Sequence, residues 1–367
     1  MKRLMLLVDG VLADASTWCC ISTTRDLETI TRRVEGEGLS FLMITLPRFC
    51  RDFEQSLAQS RIDPSLFLGF KKRGALPAFL QGLLGLVFDS RSGDILSKPN
   101  KTAIYYIRQI CLMWKKIEMP CSDARISKAF DRYVKVDEGV RDFEATALTD
   151  LLCQFSEMSQ RLFSSVLCPL DEMAYTHSFI PKHGPGATAE GIKGNAKFDI
   201  KTWTYRLEEC FPSADYAVAN YSYNSVLQGI NYLKPGAEEP VRVITVPKTL
   251  DKPRIIAIEP VCMQYMQQAV MEQLYVQLEG SPFLAGSLGF TDQTVNQRLA
   301  HESSVSLKTA TVDLRDASDR VSNLLVKIML DPFPYLNRCV QACRSWRADI
   351  PDYGIHHIWK FASMGSG

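Results

Sequence analysis

Three aspartates recur at every third position in the stretch TATVDLRDASDRVS, Thr309 to Ser322: Asp313, Asp316 and Asp319. Carboxylates so spaced can hold a hard divalent cation, cap a helix or pair with cations of their own. The residues leading in, Thr309 to Leu314, are β-branched and apolar, which predicts a buried strand. Val321, Leu324, Leu325, Ile328 and Met329 then follow helical spacing, and Pro332 closes it, so the expected unit is strand, turn, helix. In that unit Asp316 or Ser318 would cap the helix, and Asp319 would favour the positive end of its dipole. Asp313 has no such explanation. At the carboxyl end of a buried strand its charge must be paired with a cation, neutralised by a proton, or bound to metal. Magnesium keeps part of its coordination for substrate phosphates, so one or two carboxylates suffice to hold it. Two such ions can activate a hydroxyl and stabilise a leaving pyrophosphate, the chemistry of nucleotidyl transfer.

Such a site needs cations for the triphosphate. Two short strand-like runs, Val243 to Val246 and Arg254 to Ile258, flank the connector PKTLDKP. Pro247 and Pro253 bracket this connector and exclude a regular strand through it. Lys248, Lys252 and Arg254 therefore sit on or beside one hairpin-like loop, as a solvated basic turn or as a phosphate-binding one.

The elements around these stretches are less specific. The first 170 or so residues are expected to be mainly helical, as in AIYYIRQICLMWKKI, Ala103 to Ile117, whose basic end reads as a solvated face. HGPGATAEG, His183 to Gly191, is a loop by composition, with His183 more structural than catalytic in aspect. Cys262, Met266, Val270, Leu274 and Leu278 recur every fourth residue and predict a buried helical face.

With 367 residues the chain can form roughly two to three domains. A net charge of +1 advertises no nucleic-acid partner, although a neutral protein can still concentrate positive charge in one channel. Eleven cysteines, odd in number and without a Cys-x-x-Cys pair, favour reduced thiols. Cys339 and Cys343 read as core positions on one helix. The opening MKRLMLLVDG mimics an export signal, but Asp9 interrupts it too early. The apolar segment Ala75 to Phe88 is broken by Pro77 and Gln81 and is too short for a bilayer.

Taken in order, these stretches resemble a known family. TVDLRDASDRVS resembles polymerase motif A, VPKTLDKPRIIAIEP (Val246 to Pro260) motif F, and FASMGSG (Phe361 to Gly367) the opening of motif B. Together with HGPGAT, TDQTVNQRLAHESS (Thr291 to Ser304) and GEGLSFLMITLP (Gly36 to Pro47), the set is similar to the replicase β subunit of RNA bacteriophages, the leviviruses. The resemblance implies an α+β right-hand fold of fingers, palm and thumb and an RNA-directed RNA polymerase. It places a mainly helical amino-terminal and fingers region at 1–170, fingers with motif F at 171–300, and the start of the palm at 301–367. It implies that Asp313, with the carbonyl of Leu314, binds two catalytic Mg2+ ions, and that Asp319 reads the ribose 2′-hydroxyl. It further implies that Lys248, Arg254 and, more weakly, Lys252 hold the incoming triphosphate. Gly365 would let the motif B loop approach template or nucleotide closely, with Ser363 in the hydroxyl network. Met364, where many polymerases carry serine, is a departure. RNA template and product, nucleoside triphosphates, elongation factors Tu and Ts and a ribosomal protein are the implied partners, in the cytoplasm of an infected bacterium and without a membrane.

The family's Gly-Asp-Asp motif does not occur in the sequence; Gly93-Asp94 is followed by Ile95. The expectation is accordingly an incomplete reading frame, without the Gly-Asp-Asp hairpin and thumb and unable to polymerise RNA as written. The rival expectation is a non-catalytic RNA-binding or assembly protein derived from the same fold, although acids that repel RNA phosphates fit it poorly.

Overall fold

The computed structural model describes residues 2–218 and 220–366, so Gly367, the last residue of the motif B resemblance, lies outside them. Helices dominate and the strands are short, an α+β composition in two compact units. One comprises Met1–Ala129 with Val246–Arg254, the other Phe130–Thr245 with Ile255–Gly367.

The first unit contains α1 (Lys2–Cys19), α2 (Thr24–Glu37), α3 (Leu46–Ala58), α4 (Gln81–Leu84) and α5 (Lys101–Leu112), with a small ladder of β1 (Lys72–Arg73) and β2 (Leu76–Pro77). Helix α1 runs straight past Asp9 and buries Val8, Leu12, Ala15 and Cys19, one stripe at helical spacing. The segment Ala75 to Phe88 is core: Leu76, Phe79, Leu80, Leu83, Leu84, Val87 and Phe88 are all buried. No helix among the described residues is long and apolar enough to cross a membrane. Phe49 anchors an aromatic cluster, its ring 4.7 Å from Phe67, 4.8 Å from Phe70 and 5.3 Å from Phe79. Helix α5 ends at Leu112, earlier than the Ala103 to Ile117 pattern suggests, and Lys115 and Lys116 are exposed beyond it.

The boundary between units falls within α6 (Asp123–Thr146). The second unit continues with α7 (Thr149–Tyr175), β3 (Thr202–Thr204), α8 (Tyr205–Cys210), α9 (Ser213–Tyr216) and β4 (Asn231–Leu233), which pairs parallel with β3. Strands β5 (Val241–Val246) and β6 (Arg254–Ile258) flank the proline-bracketed connector, as expected. There follow α10 (Val261–Gly280), α11 (Thr294–Ser306), α12 (Asn323–Leu330), α13 (Pro334–Cys343), β7 (Arg347–Ile350) and β8 (Gly354–His357). The main sheet has the order β6-β5-β7-β8, with β5 and β7 parallel and β7 and β8 antiparallel. Its helices enclose a core of Trp203, Leu207, Phe211, Met266, Leu336 and neighbours. Cys262, Met266 and Val270 are buried on α10 as the spacing predicts, whereas Leu274 and Leu278 are only half-buried. Cys339 and Cys343 are buried on α13.

Two local expectations fail. Thr309 to Leu314 is not a strand: it is irregular, with Val312 81% and Leu314 71% exposed. A β-branched run becomes a strand only beside a backbone that pairs with it, and no described residue supplies one. The helix after it starts later than expected, capped not by Asp316 or Ser318 but by Ser322, whose Oγ accepts from the amides of Leu324 and Leu325. Its buried stripe is Asn323, Val326 and Leu330, one step round from Val321, Leu324, Leu325, Ile328 and Met329, because apolar residues on several faces leave the stripe undetermined.

Candidate active site

The basic connector belongs to the first unit, which holds its backbone. Arg48 pairs with Asp251 at 3.3 Å, Arg125 donates to the Leu250 carbonyl at 3.2 Å, and Cys121 Sγ donates to the Thr249 carbonyl. Leu250 is buried in that unit's core. With the connector held at the Thr249 and Leu250 carbonyls and at the Asp251 carboxylate, the side chains of Lys248, Lys252 and Arg254 remain exposed.

In the second unit the three aspartates have three different environments. Asp313 is exposed, on the irregular segment. Asp316, at a left-handed φ of 56°, pairs with Arg132 of α6. Asp319, on the short 3-10 turn Ser318–Arg320, pairs at 2.9 Å with the Nζ of Lys360, a lysine with no exposed surface. Thus Asp319 serves an ion pair, not a helix dipole.

The segment after this turn runs antiparallel beside the segment before the Gly365 loop. Phe361 N–H donates to the Val321 carbonyl at 2.7 Å, and Ser322 pairs with Lys360. Helix α6 supports both. Glu144 accepts from Ser322 Oγ at 2.6 Å and from the Leu324 amide at 3.0 Å. Asp137 accepts from the amides of Trp359 and Lys360 at 3.0–3.1 Å. The Tyr133 hydroxyl lies 2.8 Å from Ser363 Oγ, and the Lys360 ammonium sits 3.4 Å from the Tyr133 ring centroid. From the other side Arg344 donates to the carbonyls of Ile358, Lys360 and Phe361 at 2.7–3.0 Å. Burial pulls the pKa of this guanidinium down to about 10.

The Gly365 loop lies against the edge of β6. Ala257 N–H donates to the Met364 carbonyl at 2.9 Å. Gly365 has φ 111°, and a Cβ there would fall 2.4 Å from the Ala257 carbonyl oxygen. Buried Glu259 accepts from Ser366 Oγ at 2.5 Å and Ser345 Oγ at 2.6 Å. Desolvation raises its pKa, and the two hydroxyls oppose that rise.

The second unit therefore brings together Asp319, Ser363 and Gly365 around Tyr133 and Lys360. Sequence reasoning missed Arg132, Tyr133, Asp137, Glu144, Lys360 and Arg344. One signal was available: Phe130, Tyr133, Asp137, Val140 and Glu144 share a helical stripe, with acids at two positions where a core face wants apolar residues.

HGPGATAEG is a loop, held by a buried lysine that the sequence does not single out. Lys197 Nζ donates to the carbonyls of Gly184 and, at 2.8 Å, Gly186. His183 stacks on Tyr265 at 4.4 Å and meets Phe198 edge-on at 4.8 Å, a packing role as expected. Burial, and then the Lys197 charge, lower its pKa below the ordinary 6.5. The folded state thus favours the neutral ring, so this stability is complete above pH 6.5 and is lost as pH falls through that value towards the folded pKa. Urea unfolding from pH 7.5 to 5 should show stability falling with acid, and His183→Phe should remove that part of the slope; an unchanged slope would contradict it.

Residues 228–367 match a family model described as RNA replicase, beta-chain. That span holds the motif F, A and B stretches; HGPGAT and Gly36 to Pro47 lie outside it. Over 126 residues the chain is 36% identical to the RNA-directed RNA polymerase subunit beta of Escherichia virus Qbeta, covering 34% of this chain and 20% of that protein. It is 33% identical over 161 residues to the corresponding subunit of Qbeta virus strain MX1, 44% of this chain and 26% of that one. The RNA-directed RNA polymerase beta chain of Escherichia phage MS2 is 37% identical over 128 residues, 34% and 22% of the two chains. The matches thus span about a fifth to a quarter of these relatives, and they bear out the recognition of an RNA phage replicase.

Proposed function

We propose that this chain, recognised as an RNA phage replicase through its RNA replicase beta-chain segment, is part of an RNA-directed RNA polymerase that copies a viral genome. The observation that carries the reading is the junction in the second unit: the aspartate turn and the Gly365 loop, two motifs of nucleotidyl transfer, are joined by backbone pairing and by the Asp319–Lys360 ion pair.

In this reading the regions 1–170, 171–300 and 301–367 are helical amino-terminal part, fingers and early palm of a right-hand fold. The exposed cations Lys248 and Arg254, with Lys252, bind the triphosphate of the incoming nucleotide. Asp319 accepts a hydrogen bond from its ribose 2′-hydroxyl, and Ser363 contributes to that network through Tyr133. The bare Gly365 backbone leaves room for template or nucleotide. A divalent ion, taken here as Mg2+, would draw on the Asp313 carboxylate and the Leu314 carbonyl. Among the described residues no group of three His, Cys, Asp or Glu could hold a metal, so these two supply only part of its coordination. When bound, such ions make the RNA 3′-hydroxyl a better nucleophile and neutralise the departing pyrophosphate. The reading places the enzyme in the cytoplasm of an infected bacterium, with elongation factors Tu and Ts and a ribosomal protein as partners.

The test is template-dependent ribonucleotide incorporation by the purified replicase that carries these residues. Arg254→Ala should raise the KM for nucleotide about tenfold, the cost of losing one charge-assisted contact, with a smaller change in kcat. Unchanged nucleotide kinetics would remove Arg254 from the site. Tight RNA binding with no incorporation would favour the non-catalytic reading.

A further inference from the structure

A lysine without exposed surface is an expensive residue, since its ammonium must find a counter-charge inside the protein. Around Lys360 two nearby acids are otherwise engaged: Asp137 accepts the amides of Trp359 and Lys360, and Asp316 pairs with Arg132. The direct partner is Asp319, through Oδ1 at 2.9 Å. Its Oδ2 has no hydrogen-bond partner among the described residues. Lys360 is fixed on every side: its amide by Asp137, its carbonyl by Arg344, its backbone beside Ser322, and its ammonium over the Tyr133 ring. Apolar residues of similar volume often replace a buried ion pair without loss of stability, so the presence of this pair is not explained by fold stability.

We infer that Lys360 is the positioning residue for Asp319: its ammonium ties the aspartate turn to the Gly365 loop and holds one carboxylate oxygen, leaving the other for a ribose hydroxyl. The meaning of that carboxylate rests on the polymerase reading above; the tie rests on the geometry. Discrimination between ribonucleotides and 2′-deoxyribonucleotides then depends on a residue that never touches the sugar.

The experiment compares kcat/KM for a ribonucleotide and its 2′-deoxy analogue in the replicase and in Lys360→Met, Asp319→Asn and the double variant, with a thermal melt of each. Lys360→Met and Asp319→Asn should each lower the ribo-to-deoxy preference about tenfold, and the double variant should fall no further, as expected for groups acting as a unit. Lys360→Arg, which keeps the charge, should recover part of the preference. A Lys360→Met enzyme with unaltered preference beside an Asp319→Asn enzyme that has lost it overturns the inference and leaves the polymerase reading standing. A parallel loss of both substrates without change in their ratio also overturns it. If Asp319→Asn itself keeps the preference, or the unaltered enzyme makes no RNA, the reading beneath it falls, and the inference with it. Should Lys360→Met fail to fold, Tyr133→Leu decides the matter: it removes the ring on which the Lys360 ammonium rests and so loosens its hold on Asp319, the same ratio should fall about twofold to threefold, and an unchanged ratio overturns the proposal.

Discussion

Asp313→Ala in the replicase is expected to reduce nucleotide incorporation by a factor on the order of 10³ or more, as when a preorganised charge-stabilising group is deleted, while RNA binding stays within about twofold. The expectation follows from the distribution of charge among the three aspartates. Asp316 is committed to Arg132 and Asp319 to Lys360, so each is tied to a cation of the protein itself. Asp313 is exposed on an irregular segment and remains available to an external cation. The carboxylate supports no core, so its removal should leave the thermal melt unchanged. Incorporation and filter binding on the same preparation check both halves. Activity that survives the substitution would remove Asp313 from the metal site and take the chemical centre out of the polymerase reading.

Gly365→Ala should do comparable damage for a different reason. At φ 111° an L-residue is strained, and its Cβ would lie 2.4 Å from the Ala257 carbonyl oxygen, a backbone atom that cannot rotate aside. Strain and contact together cost about 2–4 kcal/mol, more than the loop's few hydrogen bonds return, so the loop should leave the β6 edge. Hydrogen exchange at the Ala257 amide, which donates to Met364, reports this directly: protection should be lost in the variant while the rest of the sheet keeps its own. Protection retained at Ala257 would show that the loop accommodates a side chain, and that glycine is not required for its docking.

What could be read in the sequence was whatever depends on neighbours along the chain. The α10 stripe at Cys262, Met266 and Val270, the proline-bracketed connector and the loop around Gly184, Pro185 and Gly186 follow from local spacing and backbone preference, and each has its expected local form. What depends on distant partners was not legible. Thr309 to Leu314 has the composition of a strand but no strand beside it among the described residues, and composition cannot report that. Lys197 and Lys360 look like ordinary solvated lysines, yet both are buried, one on glycine carbonyls and one on an aspartate 41 positions away. The residues proposed to meet substrate were therefore visible as motifs, whereas the groups that orient Asp319 and Ser363 were not.

Helix α6 contacts the aspartate turn through Arg132, its continuation through Glu144, and the approach to the glycine loop through Asp137 and Tyr133. Two loops held by one helix take their spacing from it, so a change in the helix between those contacts reaches both. Substitutions that soften α6 between Arg132 and Glu144 should therefore broaden the gap between the two loops without touching either.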